Sequence, residues 1–177
     1  MDLIGKQIRI RAIEYGDLEF LRKLINSPTI EFQTVDTHFP VSIHAQKRWY
    51  ENFDEQKELR CIIENITNKV PIGYISVTRI DQRNQNAVVG IKMDAFSENR
   101  TNGDMEEIFR LMKDFCFNEL NLHRLEAEVL ADNLLSLKNL LAQGFVQEGV
   151  LREKSYKHGK WNDIIMMSLL REDYYQE

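Results

Sequence analysis

The fold is decided by residues 87–122, AVVGIKMDAFSENRTNGDMEEIFRLMKDFCFNELNL. Apolar side chains alternate at Val89, Ile91 and Met93, which predicts a β-strand. A polar turn at residues 99–103 follows, and the apolar spacing beyond it predicts a long amphipathic helix. The first N–H groups of a helix have no partners within that helix. A glycine-containing turn that feeds a strand into a helix is therefore suited to bind an anion.

Two residues of the turn favour an anion site. Arg100 offers a planar set of donors suited to a phosphate, and Gly103 lets the backbone approach a ligand without an intervening Cβ. Ordinary turn chemistry explains a glycine at this place about equally well. The turn alone therefore leaves both interpretations open.

Three sequence motifs follow one another from this turn. The first is R-x-x-G at Arg100 and Gly103, the second is L-x-R-L-E-A-x-V at residues 122–129, and the third is N-x-x-S at residues 133–136, with G-F at residues 144–145. In these motifs the chain resembles the GNAT (general N-acetyltransferase) superfamily, and in particular its ribosomal-protein-alanine acetyltransferase branch.

The resemblance implies an α+β fold for the whole chain. We expect a mixed, mostly antiparallel central sheet with helices on both faces and a central strand pair that splays apart. With 177 residues, 43% of them hydrophobic, and no Pro, Gly or Ser-rich linker, the chain is expected to form a single N-acetyltransferase domain over residues 1–177.

Composition excludes several classes of function. A net charge of -5 argues against a nucleic-acid surface, which needs a basic face. No long apolar run predicts a membrane span or a secretion signal, so we expect a cytoplasmic protein without membrane partners. Cys61 and Cys116 lack the spacing of a metal site and are expected to be reduced, buried thiols. No metal cofactor is implied.

The pattern along the chain predicts the remaining elements. A strand at residues 8–12 precedes a helix that Asp17 is expected to cap and that ends before Pro28. Residues 29–40 have no clear period. Further predictions are a helix capped by Ser42, a β-hairpin turning at residues 67–69, a helix capped by Asn133 and ended by Gly144, and a final hairpin turning at residues 158–159.

The resemblance also implies acetyl-coenzyme A as co-substrate, lying between the strand at Met93 and the strand at residues 126–130. A backbone N–H near Met93 would stabilise the oxyanion. Ser136 is the nearest candidate to return a proton to the coenzyme A thiolate, and an ordinary hydroxyl on the helix surface explains it about equally well. The residues expected to contact the coenzyme are Met93, Ala95, Arg100, Thr101, Asn102, Gly103, Asp104, Met105, Asn133 and Ser136. Asn133 can serve as helix cap and coenzyme contact at once.

The sequence departs from the family pattern at three places. Val88 stands where the branch often has a glutamate base, and Asp81, Asp94, Glu126 and Glu128 are unranked substitutes. Leu140 stands where many GNAT enzymes have a tyrosine acid. Met105 replaces a small residue, next to three acids in the first helical turn. Those acids are expected to weaken coenzyme binding, because a like charge near the pyrophosphate costs about 0.5 to 2 kcal/mol of binding free energy. The three acids are Asp104, Glu106 and Glu107.

The acceptor is expected to be a primary amine. Without a glutamate base, an amine of low pKa such as a protein N-terminus is easier to acetylate than a lysine-like amine, by roughly 3.5 kcal/mol of deprotonation. The alternatives are an amino-sugar, antibiotic or polyamine acetyltransferase and, in another class, a non-catalytic GNAT-fold binding module. By analogy with the family that the chain resembles, a homodimer is expected. The acceptor side is expected at Glu31, Phe32, Asp36, His38 and Trp49.

Overall fold

A computed structural model describes residues 2–35, 39–54, 57–94 and 97–176. The strands are β1 (Leu3–Ile4), β2 (Ile8–Ala12), β3 (Leu59–Asn65), β4 (Val70–Asp81), β5 (Asn86–Met93), β6 (Arg124–Leu130), β7 (Val146–Lys157) and β8 (Lys160–Leu170). The helices are α1 (Leu18–Ile25), α2 (Pro28–Gln33), α3 (Ile43–Asn52), α4 (Asp104–Asp114), α5 (Leu134–Ala142) and α6 (Arg171–Tyr174).

All eight of these strands form one sheet in the order β1-β2-β3-β4-β5-β6-β8-β7. Neighbouring strands are antiparallel except at the centre, where β5 and β6 run parallel. Two antiparallel groups thus meet at one parallel pair, and helices cover both faces. The predicted GNAT architecture is confirmed.

Alternation along the strands separates two apolar layers, because successive side chains of a strand point to opposite faces of the sheet. On one face, Ala87 and Val89 of β5 and Leu125 of β6 pack with α4 and with Leu140 of α5. On the other face, side chains such as Tyr74 of β4 pack against α1, α2 and α3. The centre of the sheet is therefore enclosed from both sides.

Helix α4 covers the parallel strand pair. Its apolar stripe, which includes Ile108, Phe109 and Met112, is buried against the sheet. A π-helical turn at Phe115–Glu119 continues it. No helix among the described residues is long and apolar enough to cross a membrane.

The first half of the chain departs from prediction at two places. Asp17 does not cap α1: its carboxylate accepts the N–H of Glu14 at 2.8 Å and binds Arg11 at 2.7 Å. The segment expected to be irregular begins with helix α2, in which Pro28 occupies the first turn. Proline both ends α1 and suits the start of α2, because its missing N–H would be unpaired there anyway. The cap by Ser42 is confirmed by its bond from the Ala45 N–H at 3.1 Å.

Candidate active site

The central strands separate where the resemblance to the GNAT superfamily implies. Pairing between β5 and β6 covers residues 86–88 and 124–126 and ends at Val88 and Glu126. Both strands continue beyond that point, β5 to Met93 and β6 to Leu130. A gap therefore opens in the middle of the sheet.

The backbone of β5 presents peptide groups to this gap. The Asp94 N–H donates to Ile72 O at 2.9 Å, on the β4 side. In an antiparallel ladder the direction of the peptide groups alternates with each residue. The N–H and C=O groups of Ile91 and Met93 therefore face away from β4, into the gap.

The backbone of β6 does the same from the opposite side. The Ala131 N–H donates to Asp163 O at 3.0 Å, toward β8. By the same alternation, the peptide groups of Glu128 and Leu130 face β5 across the gap. Backbone groups in such a gap need a partner, and an extended polar ligand can supply it.

A cavity of about 330 Å³ occupies the gap and the space beside it. It brings together five residues predicted to act at the site: Met93, Arg100, Met105, Asn133 and Ser136. Leu140 also lines it and is buried. Ala95, Asp36 and His38 lie outside the described residues.

The turn before α4 is closed by its own side chains. The Thr101 N–H donates to Asp104 Oδ2 at 2.6 Å, and the Thr101 hydroxyl lies 2.6 Å from Asp104 Oδ1. The Asp104 N–H bonds back to Thr101 O at 3.4 Å. Thr101 and Asp104 therefore shape the turn. The N–H groups of Asn102, Gly103 and Met105 lie at the helix end, where the first N–H groups have no partner within the helix.

Gly103 has φ of 93°, in the left-handed region that favours glycine. A Cβ built there meets no atom within 4 Å, so glycine is required for the backbone angle and not by crowding within the described part of the chain.

Two of the three acids in the first turn of α4 have hydrogen-bond partners within the protein. Asp104 is buried in the turn. The Glu107 carboxylate accepts the N–H groups of Gln7 at 3.0 Å and Ile8 at 3.1 Å, and also that of Lys6. Burial alone would raise the pKa of Glu107, but these three donors outweigh it and lower the pKa. Because their charge is compensated locally, these two acids repel a ligand anion less than the sequence suggests.

Asn133 joins the two sides of the cavity. Its Oδ1 accepts the Ser136 N–H at 3.1 Å, which confirms the predicted cap of α5. Its Nδ2 donates to Gln33 O at 3.0 Å, at the end of α2. One side chain therefore joins the start of α5 to the end of α2.

The chain after α2 forms the opposite wall, and the C-terminal hairpin holds it. Gln33, Thr34 and Val35 line the cavity. The buried ammonium of Lys157 donates to Thr34 O at 2.7 Å and to Glu31 O, and the Ser155 hydroxyl donates to Val35 O at 3.2 Å. These long-range bonds tie the segment after α2 to the final hairpin.

Three of the predicted acceptor residues lie away from this cavity. Glu31 Oε1 lies 3.3 Å from Lys157 Nζ, and the Phe32 ring lies 4.9 Å from that of His158. Both side chains occupy the face of α2 that is turned to the final hairpin. Trp49 lines a second cavity, between the sheet and helices α1 and α3.

The charged groups of the first cavity were only partly foreseen. Of the four carboxylates left unranked, Glu128 lines the cavity, and it lies 2.7 Å from Arg79. Glu126 instead pairs with Arg124 at 2.7 Å. Lys92 lines the cavity too, and its place on β5 beside Met93 was the signal that sequence analysis missed. The described residues contain no cluster of three or more His, Cys, Asp or Glu side chains able to hold a metal ion.

Comparison with known proteins agrees with this geometry. The family model described as "Acetyltransferase (GNAT) domain" matches residues 7–146, so the chain belongs to the GNAT acetyltransferase family. It is an acetyl-CoA-dependent N-acetyltransferase, and acetyl-CoA is its co-substrate.

Three similar proteins are named as N-acetyltransferases. "Uncharacterized N-acetyltransferase p20" of Bacillus licheniformis is 35% identical over 97% of both chains. The chain is also similar to the crystal structure of spermidine N-acetyltransferase from Vibrio cholerae in complex with CoA and spermine. The sequence identity is 26% and the TM-score is 0.88, and the match covers 97% of this chain and 99% of that chain. "L-amino acid N-acetyltransferase AaaT" of Escherichia coli is 26% identical over 93% of this chain and 99% of its own.

These relatives confirm the superfamily and do not support the ribosomal-protein-alanine branch. Those with a named acceptor act on spermidine or on L-amino acids. The comparisons thus favour the small-molecule alternative, which includes polyamines, over the protein N-terminus.

Proposed function

We propose that residues 1–177 act as one N-acetyltransferase domain that acetylates the primary amine of a small molecule. The observation that carries this proposal is the gap beyond Val88 and Glu126, which opens into a cavity lined by Arg100, Asn133 and Ser136. A sheet that remained paired to the ends of β5 and β6 would leave no room for a coenzyme there.

The gap and the turn before α4 match two parts of coenzyme A. The facing peptide groups of Ile91, Met93, Glu128 and Leu130 suit the amides of its pantetheine arm, as an added strand would. Arg100 and the N–H groups of residues 102–105 that the turn leaves open suit its pyrophosphate. When bound, acetyl-CoA supplies an activated acetyl group as a thioester.

We assign roles in the transfer to three residues of this chain. The Met93 N–H faces the gap and would hold the negative charge that develops on the acetyl oxygen. Glu128, on the acceptor face of β6, would take the proton of the incoming amine, directly or through one water. The hydroxyl of Ser136 would give a proton to the departing thiolate, the role that Leu140 cannot fill.

Spermidine is the first acceptor candidate, because relatives and the structural neighbour carry that activity. An L-amino acid is the second, because another relative carries that activity.

The experiment is a thiol-release assay with acetyl-CoA and three acceptors: spermidine, a free L-amino acid and a peptide with a free N-terminus. Turnover with either small amine above the peptide supports the proposal, and Glu128→Gln and Ser136→Ala should lower kcat with acetyl-CoA binding retained. Turnover with the peptide alone would overturn the small-molecule assignment. Two sequence predictions stay predictions: a homodimer and a cytoplasmic location.

A further inference from the structure

A second cavity, of about 280 Å³, lies between the sheet and helices α1 and α3. An apolar cavity of about 150 Å³ is enough to bind benzene in an engineered protein. This cavity therefore has room for an aromatic ring and further atoms. Most of its lining is apolar, because residues three or four positions apart share a helix face: Leu21, Leu24, Ile25, Val41, Ala45 and Trp49.

Gln46 of α3 is an uncharged polar residue of this lining. It is only 6% exposed, and its side-chain amide has no hydrogen-bond partner within the part of the chain that the structure describes. In that same part, every fully enclosed side-chain nitrogen or oxygen has a partner. The amide of Gln46 therefore reaches open space, and for a buried residue of this wall that space is the cavity. A ligand group that bonds to a buried, unpaired amide stabilises the complex.

The charged residues of the lining are engaged by protein groups. Arg60 donates through Nη1 to the Tyr74 hydroxyl at 2.8 Å and through Nε to Glu58 at 2.7 Å. The Lys92 ammonium lies 5.8 Å from the centre of the Tyr74 ring. No carboxylate lines the cavity among residues 2–35, 39–54, 57–94 and 97–176. A second ammonium, such as a polyamine carries, would be buried there without a counter-charge, so the cavity suits an uncharged group.

The second cavity adjoins the place of acetyl transfer. Lys92 of β5 lines both cavities, and its neighbours Ile91 and Met93 present their peptide groups to the gap. An acceptor whose amine lies at the gap therefore has the second cavity within reach of its other end.

We propose that the second cavity holds the uncharged aromatic end of the acceptor, a primary monoamine that carries a phenol ring, and that the Gln46 amide binds the phenol hydroxyl. The inference rests on the proposed function and narrows its acceptor to a class that none of the reported relatives names. The ring lies among the apolar side chains of α1 and α3 beside Trp49, where its buried area gives affinity. The hydroxyl both donates to Oε1 of Gln46 and accepts from Nε2, since an amide offers both.

The first test compares two acceptors that differ only in the hydroxyl, tyramine and phenethylamine, in the thiol-release assay. We expect the wild type to prefer tyramine in kcat/KM. Gln46→Leu should lower kcat/KM for tyramine about 3- to 10-fold, the range of one lost hydrogen bond, and should not lower that for phenethylamine. Gln147→Leu, at an exposed position of β7, is the matched control and should change neither value.

The second test concerns the ring. Ala45→Leu should fill part of the cavity, so that the KM rises for both aromatic amines and does not rise for ethylamine. Calorimetric titration with tyramine in the presence of coenzyme A gives a readout apart from turnover, and its Kd should rise in Gln46→Leu and in Ala45→Leu. Thermal unfolding checks that each variant is folded, and the wild-type preference for tyramine is measured without any variant.

The outcomes separate the two proposals. A wild type that acetylates spermidine but prefers phenethylamine to tyramine, or acetylates neither aromatic amine, would overturn the phenol subsite and leave the acetyltransferase assignment intact. An equal loss for both aromatic amines in Gln46→Leu would overturn the subsite in the same way. Failure of the wild type to bind acetyl-CoA at all would overturn the proposed function, and the subsite with it.

Discussion

Replacement of Asn133 by alanine removes two bonds that meet at one side chain. The first is the cap of α5 through the Ser136 N–H, and loss of such a cap costs about 1 kcal/mol. The second is the bond to Gln33 O, worth about 1 kcal/mol where the carbonyl can turn to water, as half-exposed Gln33 allows. The free energy of unfolding should therefore fall by about 2 kcal/mol. In a chain of this size that lowers Tm by about 4 to 8 °C.

Asn133→Asp is the matched control. Aspartate is a good cap and keeps the bond from Ser136, but it has no N–H for Gln33. It should lose about half as much stability as Asn133→Ala, about 1 kcal/mol. Thermal unfolding followed by circular dichroism measures both variants. An alanine variant that melts with the wild type, or an aspartate variant as unstable as alanine, would refute the two-bond account.

Three further predictions concern the turn, its acids and the thiols. Gly103→Val should cost about 1 to 2 kcal/mol in unfolding free energy because of the positive φ, and should weaken acetyl-CoA binding in calorimetry. Gly149→Val, where a Cβ also meets nothing and φ is ordinary, is its control. Glu107→Ala should lower stability by about 2 kcal/mol at neutral pH. Since the pKa of Glu107 is lowered from 4.5, its contribution is full above that pH and is lost in acid, so urea titrations of wild type and variant should converge as the pH falls. If wild type and variant still differed in unfolding free energy in acid, this account would be contradicted. Burial raises the pKa of both Cys61 and Cys116 to about 12, so a thiol reagent at pH 8 should label neither until denaturant is added.

The parts of the fold that could be predicted from sequence are those fixed by near neighbours. The caps at Ser42 and Asn133 depend on residues three positions away, and the alternation along β5 and β6 depends on residues two positions away. The family motifs added the splay between those strands, which periodicity does not contain. Helix α2 escaped prediction because six residues are too few to show a helical period.

The parts that could not be predicted depend on contacts between distant residues. Glu107 was taken for a source of repulsion, but it binds N–H groups about a hundred positions earlier in the chain. The segment after α2 is held by Lys157 and Ser155 from the final hairpin, 120 or more positions away. Neither contact leaves a local pattern. Lys92 differs, because its place on β5 beside Met93 is visible in the sequence; packing then shows that it lines the cavity.

The central claim is that coenzyme A lies between β5 and β6 with its pyrophosphate at the start of α4. The most direct test is an amide nitrogen–proton NMR titration of the wild-type chain with coenzyme A. We expect saturable shifts of the Ile91, Met93 and Met105 amides. We expect none for the amides of α6, whose residues do not line the cavity. Absence of shifts at those three amides under saturating coenzyme, or shifts confined to other parts of the sheet, would contradict the account.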